Sequence, residues 1–127
     1  RFNYDKDEVR RIILREGLYY AINSYMSAEE ISVKEKELRK NCIDCYYELE
    51  TYNDLIWKYE DTKLHELSDE EGPHTVIIGL INGSIKITDD LFSDSTEEIK
   101  NLLLRIVELF GKITSELGLD ANGNEIK

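Results

Sequence analysis

The 127-residue sequence has few of the residues that interrupt helices, build disulfide scaffolds or form membrane spans. It contains one proline, Pro73, and neither glycine nor proline between positions 17 and 72. Its longest apolar stretch, residues 76–81, is far shorter than the roughly 18 residues that a membrane helix needs. Two cysteines, Cys42 and Cys45, are too few for a disulfide framework and are typical of the cytoplasm. We therefore expect one mostly helical cytoplasmic domain with no contact to membranes.

Basic residues are also scarce. The chain has 16 lysines and arginines against 27 aspartates and glutamates, which gives a formal net charge of −11. Binding to nucleic-acid phosphates requires concentrated positive charge, so direct nucleic-acid binding is not expected. After residue 67 the imbalance increases to 12 acidic residues against 5 basic ones. This distribution favours a protein partner that has a basic surface.

The first half of the sequence predicts two helices. One begins near Asp5, where acidic residues suit the positive end of the helix dipole, and continues to Tyr25. Two capping-box patterns, at Ser27 and Ser32, predict a break between the helices. A heptad pattern then follows one face of a long second helix that ends near Leu67, and we expect this face to pack on the first helix. The pattern consists of Ile31, Leu38, Cys42, Cys45, Leu49, Tyr52, Ile56 and Tyr59.

The second half predicts a β-hairpin and a final helix. Apolar residues alternate with others on both sides of Asn82-Gly83, and Asn-Gly between alternating runs is typical of a type I′ turn. The hairpin is predicted at about residues 75–88. An amphipathic helix follows from a capping box at Ser95 to Gly118, and Gly111 within it indicates a close packing contact.

The predicted fold is accordingly α+β and mostly α. Its order is helix, long helix, β-hairpin and amphipathic C-terminal helix, in one domain over residues 1–118. Residues 119–127 are predicted to form a flexible C-terminal tail.

Two acidic clusters flank the predicted hairpin. Because the outer ends of a short hairpin lie close together, the two clusters are expected to converge on one negative patch. That patch is a candidate for steering a basic partner or for mimicking nucleic-acid phosphates, and the alternative is a merely solubilising surface. The candidate contact residues are Asp69, Glu70, Glu71, Asp89, Asp90 and Asp94.

Aromatic side chains supply a second candidate contact. All eight tyrosines and Trp57 lie before residue 60. The adjacent pairs at residues 19–20 and 46–47 cannot both face one helical core, and exposed tyrosines are frequent at protein interfaces. We interpret Tyr47 as a possible anchor, with packing at the edge of the core as the alternative.

Catalytic and metal-binding patterns are weak. The pair Cys42 and Cys45 lies within the predicted long helix, where buried cysteines behave as small apolar residues. Glu66 and Asp69 have the spacing of half of a four-carboxylate metal site, as in helical nucleotide pyrophosphohydrolases, but Glu48 and Glu50 do not supply the other half. No cofactor, metal site or catalytic set is therefore expected.

Three functions are compatible with these features. The leading hypothesis is a small non-catalytic protein that binds and blocks a macromolecular partner, in the manner of phage inhibitors or toxin-immunity proteins. The first alternative is a homo-oligomeric assembly or chaperone-like subunit that uses the heptad face or the hairpin edge. The second is a metal-dependent nucleotide phosphohydrolase that uses clustered carboxylates.

Overall fold

The computed structural model describes residues 4–27, 31, 33–59, 62–68, 72–120 and 123–126. These residues form helices, together with two isolated β-bridges, Tyr4–Val33 and Leu119–Glu125. The helical elements are α1 (Lys6–Glu16), α2 (Leu18–Tyr20), a π-helical turn (Ala21–Tyr25), α3 (Lys36–Lys58), α4 (Lys63–Leu67), α5 (His74–Asn82), a 3-10 turn (Asp90–Phe92) and α6 (Glu97–Leu117).

Contacts along the chain define two compact units. Unit 1 comprises Arg1–Tyr47 together with Glu108–Lys127, and unit 2 comprises Glu48–Val107. Both α3 and α6 contribute residues to each unit. Within the described ranges, none of the helices is long and apolar enough to cross a membrane.

The predicted β-hairpin is wrong, and the fold is mostly α rather than α+β. Residues 74–82 form α5, and no described residue lies in a strand. Val76 and Ile77 are both fully buried, whereas successive residues of a strand point to opposite faces. Gly83 has φ 83° and ψ 3°, the left-handed conformation that ends many helices. The Asn82-Gly83 pair therefore ends a helix, because a helix C-terminus uses the same positive φ as a hairpin turn.

The single long helix is also wrong, since α3 ends at Lys58 and α4 is a separate helix. Thr62 has an extended backbone and caps α4, its hydroxyl accepting a hydrogen bond from the His65 amide at 3.2 Å. The sequence around Thr62 does not indicate the end of a helix, because it contains neither glycine nor proline. The predicted start of the first helix is confirmed, since the Asp5 carboxylate accepts a hydrogen bond from the Glu8 amide at 2.8 Å.

Unit 1 has a core from α1, α3 and α6, in which every named side chain is buried: Val9, Ile12, Ile13, Leu38, Cys42, Cys45, Phe110, Ile113 and Leu117. Arg10 joins α1 to the end of α6. Its Nε donates a hydrogen bond to the Leu117 carbonyl at 3.1 Å, and its guanidinium lies 3.1 Å from the Glu125 carboxylate. The flexibility of the segment after Gly118 stays a prediction.

Unit 2 has its own core, supplied mainly by α3, α5 and α6. Its buried side chains include Leu49, Tyr52, Ile56, Leu64, Val76, Ile77, Leu91, Ile99, Leu102, Leu103 and Ile106. Across both units, the heptad residues from Ile31 to Ile56 are buried, as the pattern predicted, and Tyr59 is half-buried. The amphipathic final helix is confirmed as well, because its apolar face is buried, but its cap is Thr96, which accepts a hydrogen bond from the Ile99 amide, and not the predicted Ser95.

Two helical glycines are expected to respond oppositely to alanine. A Cβ atom at Gly79 would lie 2.5 Å from Ile85 Cδ1 and 2.7 Å from Ile85 Cγ1, whereas at Gly111 nothing lies within 4 Å. Overpacking typically costs about 1–3 kcal/mol, and alanine improves helix propensity by about 1 kcal/mol. Gly79→Ala should therefore lower the free energy of unfolding by up to about 2 kcal/mol, and Gly111→Ala should raise it by about 0.5–1 kcal/mol.

Urea denaturation of both variants measures this difference, and each glycine is the control for the other. A gain in stability at Gly79 would contradict the close approach of residue 85 to α5. The expectation that Gly111 marks a close contact is wrong, because its surroundings are open.

Candidate partner-binding site

The predicted acidic residues of the second cluster lie in unit 2, between α5 and α6. Asp89, Asp90 and Asp94 are exposed, and the exposed Glu97 and Glu98 extend the same surface into the first turn of α6. The first cluster, Asp69, Glu70 and Glu71, lies outside the described residues. Convergence of the two clusters therefore stays a prediction. The argument for it was that the two ends of a short hairpin lie close together, and that argument fails because residues 74–82 form a helix.

Two of these carboxylates hold α4. Asp94 accepts hydrogen bonds from the Lys63 backbone N–H, with distances of 3.1 and 2.9 Å to its two oxygens. The Lys63 ammonium donates to Asp90, and this hydrogen bond raises the pKa of Lys63. Asp94 thereby satisfies a backbone donor that the first turn of a helix leaves open. Asp90 and Asp94 position α4, and Asp89 forms no ion pair with another described residue.

An exposed tryptophan also contacts α4. Trp57, in the last turn of α3, is 54% exposed, and its ring meets the His65 ring edge to face at 5.4 Å with an interplanar angle of 81°. His65 follows Lys63 by two positions on α4. The five-residue helix α4 therefore contacts both the acidic residues, through Lys63, and the tryptophan, through His65.

We use the name α4 surface for this part of unit 2, defined by Trp57, His65, Asp89, Asp90, Glu97 and Glu98. Asp89 and Asp90 were predicted as contact residues from the sequence, whereas Glu97, Glu98 and the tryptophan were not. The heptad pattern contained the necessary signal. Trp57 is not one of the heptad positions, which include Ile56 and Tyr59, and the pattern therefore places it outside the buried face of α3.

Tyr47 is the predicted anchor that the structure places elsewhere. It is 54% exposed and meets Tyr46 edge to face at 5.9 Å, but it belongs to unit 1. The other adjacent pair divides as expected, with Tyr19 buried and Tyr20 exposed. Tyr47 is thus an exposed aromatic residue that is not part of the α4 surface.

The cysteines lie in the core of unit 1. Both are fully buried thiols, and burial, with a smaller effect from the Glu116 charge, raises the pKa of Cys42 to about 12. A thiol with such a pKa stays protonated near neutral pH and is a poor nucleophile. In the part of the chain that the structure describes, no three His, Cys, Asp or Glu side chains form a group suited to a metal ion.

The oligomer hypothesis requires an exposed heptad face or an exposed hairpin edge, and the described residues provide neither. The heptad face is buried within the chain from Ile31 to Ile56, and the described residues of the predicted hairpin form a helix and the coil after it. Neither a free heptad face nor a hairpin edge is therefore offered to a second copy by these residues.

Comparison with known proteins does not assign a family. No family model matches the chain, and no curated protein or solved structure is significantly similar to it.

Proposed function

We propose that this chain is a non-catalytic binding protein that blocks another protein by covering a basic surface of that partner. The α4 surface is the contact region. Trp57 is the anchor, and Asp89, Glu97 and Glu98 are the charged rim. We also propose the cytoplasm as its compartment, because cysteines that form no disulfide are typical of proteins in reducing compartments.

The single observation that carries the proposal is that the short helix α4 contacts both an exposed tryptophan ring and a group of exposed carboxylates. Tryptophan is enriched among residues that dominate binding energy, because its large ring excludes much water when it enters a pocket. Both the aromatic and the acidic residues contact α4, which is only five residues long, so an interface of ordinary size, about 800 Å² on each partner, has room for both.

The negative charge of the α4 surface favours a partner with a basic surface. The five exposed carboxylates between positions 89 and 98 are opposed in that stretch by no lysine or arginine. They attract a basic protein over distances up to roughly the Debye length, about 8 Å at physiological salt. Such steering accelerates association more than it strengthens the final complex, whose lifetime depends on the buried anchor.

The partner is first captured with the tagged protein from a lysate of the source cells, released by increasing salt, and then purified. Its affinity for two variants, Trp57→Ala and Tyr47→Ala, is measured by surface plasmon resonance. Both side chains are 54% exposed on α3, so they form a matched pair. We expect Trp57→Ala to weaken binding about 30-fold or more, which corresponds to about 2 kcal/mol, and Tyr47→Ala to change it less than about threefold.

Steering is tested by a second matched pair. Asp89→Lys and Asp7→Lys change the net charge equally, but Asp7 is an exposed residue of α1 in unit 1. The association rate should decrease about tenfold for Asp89→Lys at low salt and much less for Asp7→Lys. Equal effects within either pair, or a partner that binds independently of salt, would contradict the proposal.

A further inference from the structure

A basic cleft in unit 1 is unrelated to the α4 surface. It has a volume of about 490 Å³ and lies at the beginning of α3, where Lys34, Lys36, Arg39 and Lys40 line it. None of these four side chains forms an ion pair with another described residue. In a chain of net charge −11, such a concentration of cations needs an explanation.

Helix electrostatics do not explain these cations. The amino end of a helix carries partial positive charge, so Lys36 and Arg39 in the first turn of α3 are placed unfavourably, although Glu37 in the same turn offsets part of this charge. Glu35 precedes α3, but its carboxylate accepts a hydrogen bond from the Lys6 amide at 3.2 Å in unit 1. An anion bound among the basic side chains would offset both the helix charge and their mutual repulsion.

The other lining residues indicate more than a simple anion. Ile43 is half-buried. It lies on the same face of α3 as Lys36, Arg39 and Lys40, because these positions are three, four or seven residues apart. Together with the aliphatic stems of the basic side chains, it provides an apolar surface. Glu37 and Asp44 add two carboxylates, which accept hydrogen bonds from hydroxyl or amino groups as acidic residues do with ribose in nucleotide sites.

We propose that this cleft binds a nucleoside diphosphate or triphosphate. Arg39 and the lysines hold the phosphates, with the arginine offering paired donors to phosphate oxygens. The apolar surface accommodates the base, and the carboxylates meet the sugar hydroxyls. The volume lies within the range of about 300–1,000 Å³ that is usual for small-molecule sites.

A small ligand fits the charge distribution better than a nucleic acid. A long polyanion would extend from the cleft across a chain with 27 acidic residues, whereas a nucleotide contacts the cleft alone. The net charge of the whole chain hides this local cluster of basic residues, so the site was not predicted from the sequence. The signal was present, since four of the 16 basic residues lie between positions 34 and 40.

The test is isothermal titration calorimetry of the full chain at 0.15 M salt with ATP, ADP, tripolyphosphate, adenosine and a 12-nucleotide single strand as probes. One variant carries Arg39→Gln and Lys40→Gln. The control carries Lys86→Gln and Lys112→Gln, which lower the net charge by the same amount outside the cleft. Circular dichroism verifies that both remain folded.

We expect saturable binding of ATP and ADP, at least about tenfold weaker binding of tripolyphosphate, and no detectable binding of adenosine. The cleft variant should bind ATP at least about tenfold more weakly than the wild type, and the control should bind it equally well. Absence of saturable nucleotide binding, equal losses in both variants, or equal affinity for tripolyphosphate and ATP would overturn the proposal. Tighter binding of the single strand would also overturn it, in favour of a nucleic-acid site.

Discussion

Replacing Leu49 by alanine is expected to lower the free energy of unfolding by about 2–5 kcal/mol. Leu49 is fully buried in unit 2 on the heptad face of α3. The substitution removes three carbon atoms from a packed interior and leaves a cavity, so the lost hydrophobic burial and the lost contacts add. A domain of this size has a total stability of about 5–15 kcal/mol, so the effect is a large part of it.

Guanidinium denaturation followed by circular dichroism and by Trp57 fluorescence measures this effect. Tyr47→Ala is the matched control, because Tyr47 lies two positions away on the same helix with half of its side chain exposed. It should change the free energy by less than about 1 kcal/mol. A small effect at Leu49, or a change of oligomeric state in place of a change in stability, would show that the heptad face is not an internal core.

Raising the pH above 9 is expected to destabilise the fold by several kcal/mol. An unfolded cysteine has a pKa near 8.5, whereas burial raises the pKa of Cys42 to about 12. Between these values the unfolded chain has lost a proton that the folded chain retains. Stability therefore decreases as the pH increases, with a slope that approaches about 1.4 kcal/mol per pH unit from this one group.

A second buried group should steepen the decrease above pH 10. Tyr52 is fully buried, and burial, opposed by a weaker contribution from Ser68, raises the pKa of its phenol. Its unfolded pKa is about 10, so its contribution begins at higher pH than that of the thiol. The sign is the same, because the folded state again retains a proton that the unfolded state has lost.

Denaturation curves at half-unit steps from pH 7 to 11 measure the slope for the wild type, Cys42→Ala and Tyr52→Phe. Cys42→Ala should be less stable at pH 7 and yet have a flatter slope between pH 9 and 10. Tyr52→Phe should retain that slope and lose the additional decrease above pH 10. Parallel curves for all three proteins would show that neither group is protected from titration in the folded state.

The candidate site was partly predictable. A run of carboxylates around residues 89–98 is visible in the sequence, and its exposure follows from its charge. The pairing of Asp90 and Asp94 with Lys63 joins positions about 30 residues apart along the chain, and no local pattern specifies such a pair. The aromatic pair of Trp57 and His65 depends on the break between α3 and α4, which the sequence analysis did not identify.

The sequence by itself determined which residues are buried along α3 and α6 and where α1 begins, because helical periodicity and capping act over a few neighbouring residues. It wrongly favoured a strand over a helix at residues 76–82, since a short uncharged apolar run is compatible with both. Tertiary structure decided that region: both Val76 and Ile77 are buried, and only a helix places adjacent side chains in one core. It also gathered Lys63, Asp90 and Asp94 around α4, because contacts between distant positions form only when the chain has folded.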